Sequence, residues 1–279
     1  MVRSALTPPH TVGPYRVLWP IGEGATGRVL LGLELATGQH VALKQLHRHL
    51  VQDQAALDRF QGEARVAERL NHPNVVRVLE LVEGDGGVPF LVMEWVRGRN
   101  LRQLLGATGV LHPALATFIV SQLAAGLAHA HAQGVVHRDV SPENVLVSHS
   151  GEVKLADFGL HGARVGKAGY LAPECVEGAA AVPASDVFAA AIVLLECTSG
   201  VVARVGPLHP KLEPVVSRAL APVATRYPTA APFHRALTEA ARAPDLHATA
   251  ESLAALMRRL FDDGEAPAGW LRETDRLER

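Results

Sequence analysis

The chain has 279 residues, 48% of them hydrophobic and 20% charged, with a formal net charge of −1. This composition can bury a sizeable core and excludes a disordered chain. The near-neutral charge balance offers no electrostatic footprint for nucleic acid or an anionic membrane, so neither is expected as a partner.

Residues 1–11 carry prolines and no apolar signal-peptide core, so they read as a short mobile tail. Cys175 and Cys197 fit no CxxC pattern and are expected as reduced, buried thiols in a soluble cytoplasmic protein. The longest apolar run, Val187–Leu195, is about half a membrane span.

From Tyr15 to Leu33, strand-like residues flank Gly22, Gly24 and Gly27. Glycines at this spacing let the backbone approach a polyphosphate closely. A dinucleotide fingerprint would open a helix after its last glycine, and a Walker loop would place Lys-Ser/Thr there. Here Arg28-Val29-Leu30-Leu31 follows and continues as strand, leaving strand–glycine loop–strand. After a turn at Thr37-Gly38, the return strand His40–Leu46 carries Lys44 among apolar residues. An ammonium there is costly unless it finds anions or reaches solvent from a sheet edge. A helix is predicted over Gln54–Leu70, with Gly62 costing it roughly 1 kcal/mol relative to Ala. Strands follow at Val75–Val82 and Pro89–Trp95.

Apolar spacing near 3.6 predicts helices over Leu101–Gly106 and Ala114–Gln133. His129 and His131 lie at the end of the second, where imidazoles can satisfy terminal carbonyls. Next comes His137-Arg138-Asp139-Val140-Ser141-Pro142-Glu143-Asn144, then Val145-Leu146-Val147 and Asp157-Phe158-Gly159. Two carboxylates and a carboxamide at these offsets suit phosphoryl transfer. Asp139 would meet the proton of an attacking hydroxyl, and Asn144 and Asp157 would hold Mg²⁺. Ser185-Asp186 opens an apolar helix reaching Cys197. Further helical stretches are Leu212–Leu220, Ala230–Arg242 and Ala248–Phe261, before a polar tail at 263–279.

Together with the glycine loop and Lys44, these loops resemble the catalytic and metal loops of eukaryotic-type (Hanks-type) serine/threonine protein kinases. The resemblance runs from about Val12 to Phe261, and composition suggests a bacterial member. It implies an α+β, two-lobed kinase domain over 12–262. An antiparallel β lobe with helix C would span 12–93, a hinge 94–100 and a mainly helical lobe 101–262. It further implies ATP and Mg²⁺ as cofactors and a protein hydroxyl as acceptor. By the same resemblance Lys44 would pair the α/β-phosphates, held by Glu63, with Glu68 the competing choice. Ile21, Gly22, Gly24, Gly27, Val29, Ala42, Leu146 and the gatekeeper Met93 would enclose the nucleotide. Backbone groups at Glu94 and Val96 would bond the adenine edge, and Asn100 the ribose. His137 would pack beneath Phe158, Asp186 would brace the catalytic loop, and Arg226 would pair with Glu174 of Ala172-Pro173-Glu174.

The chain also departs from the family. Phe158–Leu171 contains no serine or threonine, and Tyr170 is its sole hydroxyl. Ser/Thr phosphorylation cannot switch this segment, so it either holds its shape unaided or answers to a regulatory protein partner. Ser141 stands where the family's serine/threonine branch usually has lysine, and Lys167 where it tends to have threonine. Lys167 either supplies the charge missing at 141 or points to water. Only Val201–Lys211 separates Gly200 from the next helical stretch, a reduced substrate-docking region. These departures keep a second reading open, a nucleotide-binding pseudokinase acting as a scaffold. The intact set Lys44, Glu63, Asp139, Asn144 and Asp157 favours the active enzyme.

Overall fold

Strand β4, His40–Leu46, alternates little because both of its faces are covered, and from Val41 onward every residue is buried. It lies inside a six-stranded antiparallel sheet of order β1-β2-β3-β4-β6-β5, formed with Thr11–Val12, Tyr15–Glu23, Gly27–Glu34, Val78–Glu83 (β5) and Pro89–Glu94 (β6). The computed structural model describes residues 11–24, 27–84, 87–158, 167, 169–202 and 208–261, without the side chains of Arg48 and Glu63. The expected terminal tails fall outside these residues, except that Thr11 already pairs with Arg16 in the sheet.

Register places Lys44 opposite Val29 on β3 and Leu91 on β6. Gly27 is required here by packing, since a Cβ on it would lie 2.1 Å from the Gln45 carbonyl oxygen. Helix α2, Gln54–Ala67, follows the short α1, Arg48–Val51. Its N-cap is Asp53, whose carboxylate accepts the N–H groups of Ala55 and Ala56. Phe60, Ala64 and Ala67 carry its apolar face into a cluster with Ala42, Leu91 and Met93.

The expected strand from Val75 starts only at Val78, because the preceding residues bond elsewhere. Val76 N–H donates to Leu155 O, and Leu155 N–H to Asn74 O, each at 2.9 Å. Asn74 also donates to Gln122 Oε1 and Val153 O, which ties this crossing onto the second lobe. Gly126 permits the approach, because a Cβ there would sit 2.6 Å from Asn74 O.

The second lobe is helical: α3 Leu101–Thr108, α4 Pro113–Ala132, α5 Pro173–Val176, α6 Pro183–Ser199, α7 Glu213–Ala219, α8 Ala230–Ala240 and α9 Ala250–Leu260. Helix α4 is apolar and long enough to cross a membrane by composition, but 61% of its apolar window is buried. It is the lobe's central helix, packed against α6 and α8. A three-stranded sheet, β7 Gly98–Asn100, β8 Val145–Ser148 and β9 Val153–Leu155, underlies the cleft. Thus the segment expected as a hinge over 94–100 leaves only 95–97 outside strands. Cys197 is buried as expected, whereas Cys175 is only half-buried; both are free thiols.

Candidate active site

The cleft is assembled from β4, the loop before β8 and the loop after β9. Lys44 Nζ lies 2.7 Å from Asp157 Oδ1, so the buried lysine of β4 meets a carboxylate of the metal loop. Ala156 N–H donates to Asn144 O at 2.8 Å. Asn144 Nδ2 donates to the Asp139 carbonyl at 2.8 Å and to Asp139 Oδ2 at 3.0 Å. Lys44, Asp157, Asn144 and Asp139 therefore form one continuous group. Because Asn144 donates its N–H groups to Asp139, its carbonyl Oδ1 is the atom left to ligate a cation. Asp157 retains a partly exposed carboxylate. Hard oxygen donors of this kind, few in number, fit Mg²⁺ shared with a triphosphate.

Among the described residues two non-glycines adopt left-handed backbone, Arg138 at φ 72° and Asp157 at φ 62°. Such residues cost about 1–3 kcal/mol each and persist where surroundings over-determine them. At Arg138 the fixing group is Asp186, which accepts His137 N–H at 2.7 Å and Arg138 N–H at 2.9 Å. His131 Nδ1 accepts the Ala230 N–H, so Nε2 carries the proton and donates to Asp186 at 2.9 Å. His131 thus braces the catalytic loop through Asp186, in place of capping α4 carbonyls as expected. The signal available in the sequence was only that a carboxylate opening an apolar helix needs a buried partner.

At Asp157 the neighbours are His137 and Phe158, whose rings meet edge-on at 4.6 Å. His137 Nε2 donates to Ala156 O and Nδ1 accepts the Asp139 N–H. Burial pushes the His137 imidazole below its ordinary value, against the opposing pull of Asp186.

The residues expected around the base divide by location. Val29, Ala42, Met93, Val96 and Leu146 share one apolar cluster. Gly22 pairs with Val29 and Gly27 with Leu46 on the sheet, while Ile21 is 43% exposed. The Glu94 carboxylate bonds Lys154 and the Arg77 N–H, and Glu94 N–H donates to Arg77 O. Asn100 caps α3, its side chain accepting Gln103 N–H at 2.8 Å. Glu63 lies on α2, but its side chain is outside the described residues, so its expected bond to Lys44 is too.

Below the cleft, Glu174 takes a two-pronged ion pair from Arg226 at 2.7 and 3.1 Å. Burial pushes the Glu174 carboxyl up, but Arg226 outweighs it and holds the group below its usual range. A second network was not read from sequence. Arg102 on α3 contacts Glu143 at 3.0 Å, Glu196 at 2.5 Å and Tyr170 Oη at 2.6 Å. Tyr170 donates to Glu196, and burial together with that carboxylate raises its pKa. Glu196 inside an otherwise apolar helix was the legible hint, since a buried charge requires a partner.

A two-lobed fold that brings a buried lysine, oxygen donors and the candidate base Asp139 into one cleft is the arrangement of the protein kinase class. The protein kinase domain model matches residues 15–205. Among similar proteins, the serine/threonine-protein kinase PrkC of Bacillus subtilis is 37% identical over 199 residues, covering 67% of this chain and 31% of that protein. PknL of Mycobacterium tuberculosis is 40% identical over 197 residues, 67% of this chain and 49% of that protein. The solved PknI kinase domain of M. tuberculosis superposes with a TM-score of 0.70 at 32% identity, covering 85% of this chain and all of the other. The chain belongs to the protein kinase family, in its Hanks-type serine/threonine branch. It spans about a third to a half of the length of these curated relatives.

Proposed function

We propose that the chain transfers the γ-phosphoryl group of ATP to a serine or threonine hydroxyl of a protein. The observation that carries this reading is the unbroken run of contacts Lys44–Asp157 and Ala156–Asn144–Asp139. Catalysis of this kind is mostly positioning and charge neutralisation. The acceptor oxygen bonds to the γ-phosphorus as the bond to the bridging oxygen breaks, and its electron pair leaves with ADP. Asp139 takes the hydroxyl proton. Lys44 orients the phosphates, while Asn144 Oδ1 and the Asp157 carboxylate would hold the metal. Mg²⁺, when bound, neutralises phosphate charge. The enclosure of the base falls to Ile21, Gly22, Gly24, Gly27, Val29, Ala42, Met93 and Leu146, with Glu94 and Val96 at the adenine edge and Asn100 near the ribose.

On this reading the kinase domain runs over 12–262, with Glu63 steadying Lys44. The cytoplasm, where ATP and reduced thiols coexist, is the compartment this chemistry needs. The retained Pro142-Glu143-Asn144 supports a serine/threonine acceptor. Incubation with Mg²⁺, γ-labelled ATP and a generic basic protein tests the reading. Label on phosphoserine or phosphothreonine is expected; nucleotide binding with no transfer would overturn it in favour of a scaffold.

A further inference from the structure

Lys167 lies ten residues beyond Asp157 in the sequence, yet its ammonium returns to the catalytic loop. Nζ donates to Ser141 Oγ at 3.2 Å and lies 3.1 Å from Glu143 Oε2. The second contact is an ion pair without hydrogen-bond alignment. Ser141 is fully buried and stands two residues after Asp139; Glu143 immediately precedes Asn144. A cation is therefore anchored on the loop that carries the candidate base Asp139 and the amide of Asn144.

A lysine with a side chain 42% exposed does not need these anchors for solvation. One such ion pair contributes about 0–1 kcal/mol to stability, so folding energy alone is a weak reason for the arrangement. Glu143 is itself fixed. Arg102 Nε lies 3.0 Å from its Oε1, so the carboxylate that pairs with the ammonium is also held from α3. Lys44 Nζ, meanwhile, bonds Asp157 Oδ1 on the loop after β9. A group in transfer spreads negative charge over its equatorial oxygens, and donors fixed in advance at that charge are worth most.

We propose that Lys167 is a catalytic residue, an ammonium anchored by Ser141 and Glu143 that meets the transferring phosphoryl group beside Asp139. This rests on the phosphotransfer reading above. Lys167 gives up no proton: the hydroxyl proton goes to Asp139 and the electron pair of the broken bond leaves with ADP. The rival role is a strut that only ties the segment after Asp157 to the catalytic loop.

The two roles separate when the charge is moved. In the full chain with MgATP and a basic acceptor protein, Lys167→Ala should lower kcat about 10²-fold. Dissociation constants for MgATP, read by calorimetry, should stay near that of the unsubstituted chain, as expected for an interaction made only in the transition state. Lys167→Met keeps the aliphatic stem and should lose as much. The double variant Ser141→Lys/Lys167→Ala puts an ammonium back through the space the removed side chain vacates, from the other anchor point. It should recover at least about tenfold of the loss. Melting temperatures of all variants report whether each is folded. Unchanged kcat in Lys167→Ala, or a loss the double variant does not recover, overturns the proposal and leaves the strut. Absence of transfer by the unsubstituted chain is a different result, which overturns the proposed function and this inference together.

Discussion

The catalytic loop and the pair Lys167 and Tyr170 are both held by charged side chains, yet by opposite means. Asp186 and His131, under the first, have side chains 2% and 1% exposed. Arg102, Glu143 and Lys167, which join the second to α3, are 37%, 32% and 42% exposed. A buried carboxylate that accepts two backbone N–H groups and an imidazole N–H fixes one backbone geometry, including the left-handed Arg138. Glu196 and Tyr170 are buried members of that second network, while its outer pairs through Glu143 and Lys167 are screened by water, contribute less and can rearrange without unfolding the lobe. Asp139, the proposed base, thus sits on the rigid part, and Lys167 on the adjustable part.

The largest effect should come from breaking the buried side of this comparison. Asp186→Asn sets an amide against three N–H donors and removes the charge that satisfies them. It should cost about 3 kcal/mol in urea unfolding, and turnover should fall with it. A midpoint close to that of the unsubstituted chain would show that the brace is not buried as described.

A smaller effect should appear with pH, and it sharpens the contrast because it acts on the buried side. His137 titrates below its ordinary value of 6.5 in the folded chain through burial. His72 is lowered too, through burial and then His129. In the unfolded chain both bind protons more readily, so stability rises with pH through the window below 6.5. Their contribution is complete above that value and is lost as pH falls towards the folded pKa. Between pH 7.5 and 5.5 the urea unfolding free energy should drop. A flat profile would contradict the buried imidazole.

Much of this was legible in the sequence because local rules carry it. The bounds of β4 and, within a residue, of α4 follow from apolar pattern and turn residues. The loops around Asp139 and Asp157 are contiguous motifs, as is the alanine-proline-glutamate segment whose Glu174 Arg226 meets. The rest joins residues that no local pattern connects. His131 reaches Asp186 across 55 positions and Arg102 reaches Glu196 across 94. Strands β7 and β9, three residues each, are too short to show a period. Ser141 and Lys167 were legible as paired departures from one family pattern, but whether Lys167 turns to the site or to water was not; the contact with Ser141 decides it.

The central claim is that Asp139 handles the acceptor proton within a cleft that binds MgATP by other groups. Turnover and MgATP affinity of Asp139→Asn, measured on the same samples as the unsubstituted chain, test it most directly. The account predicts turnover lower by about 10²–10⁴-fold with affinity retained; turnover equal to that of the unsubstituted chain would contradict it.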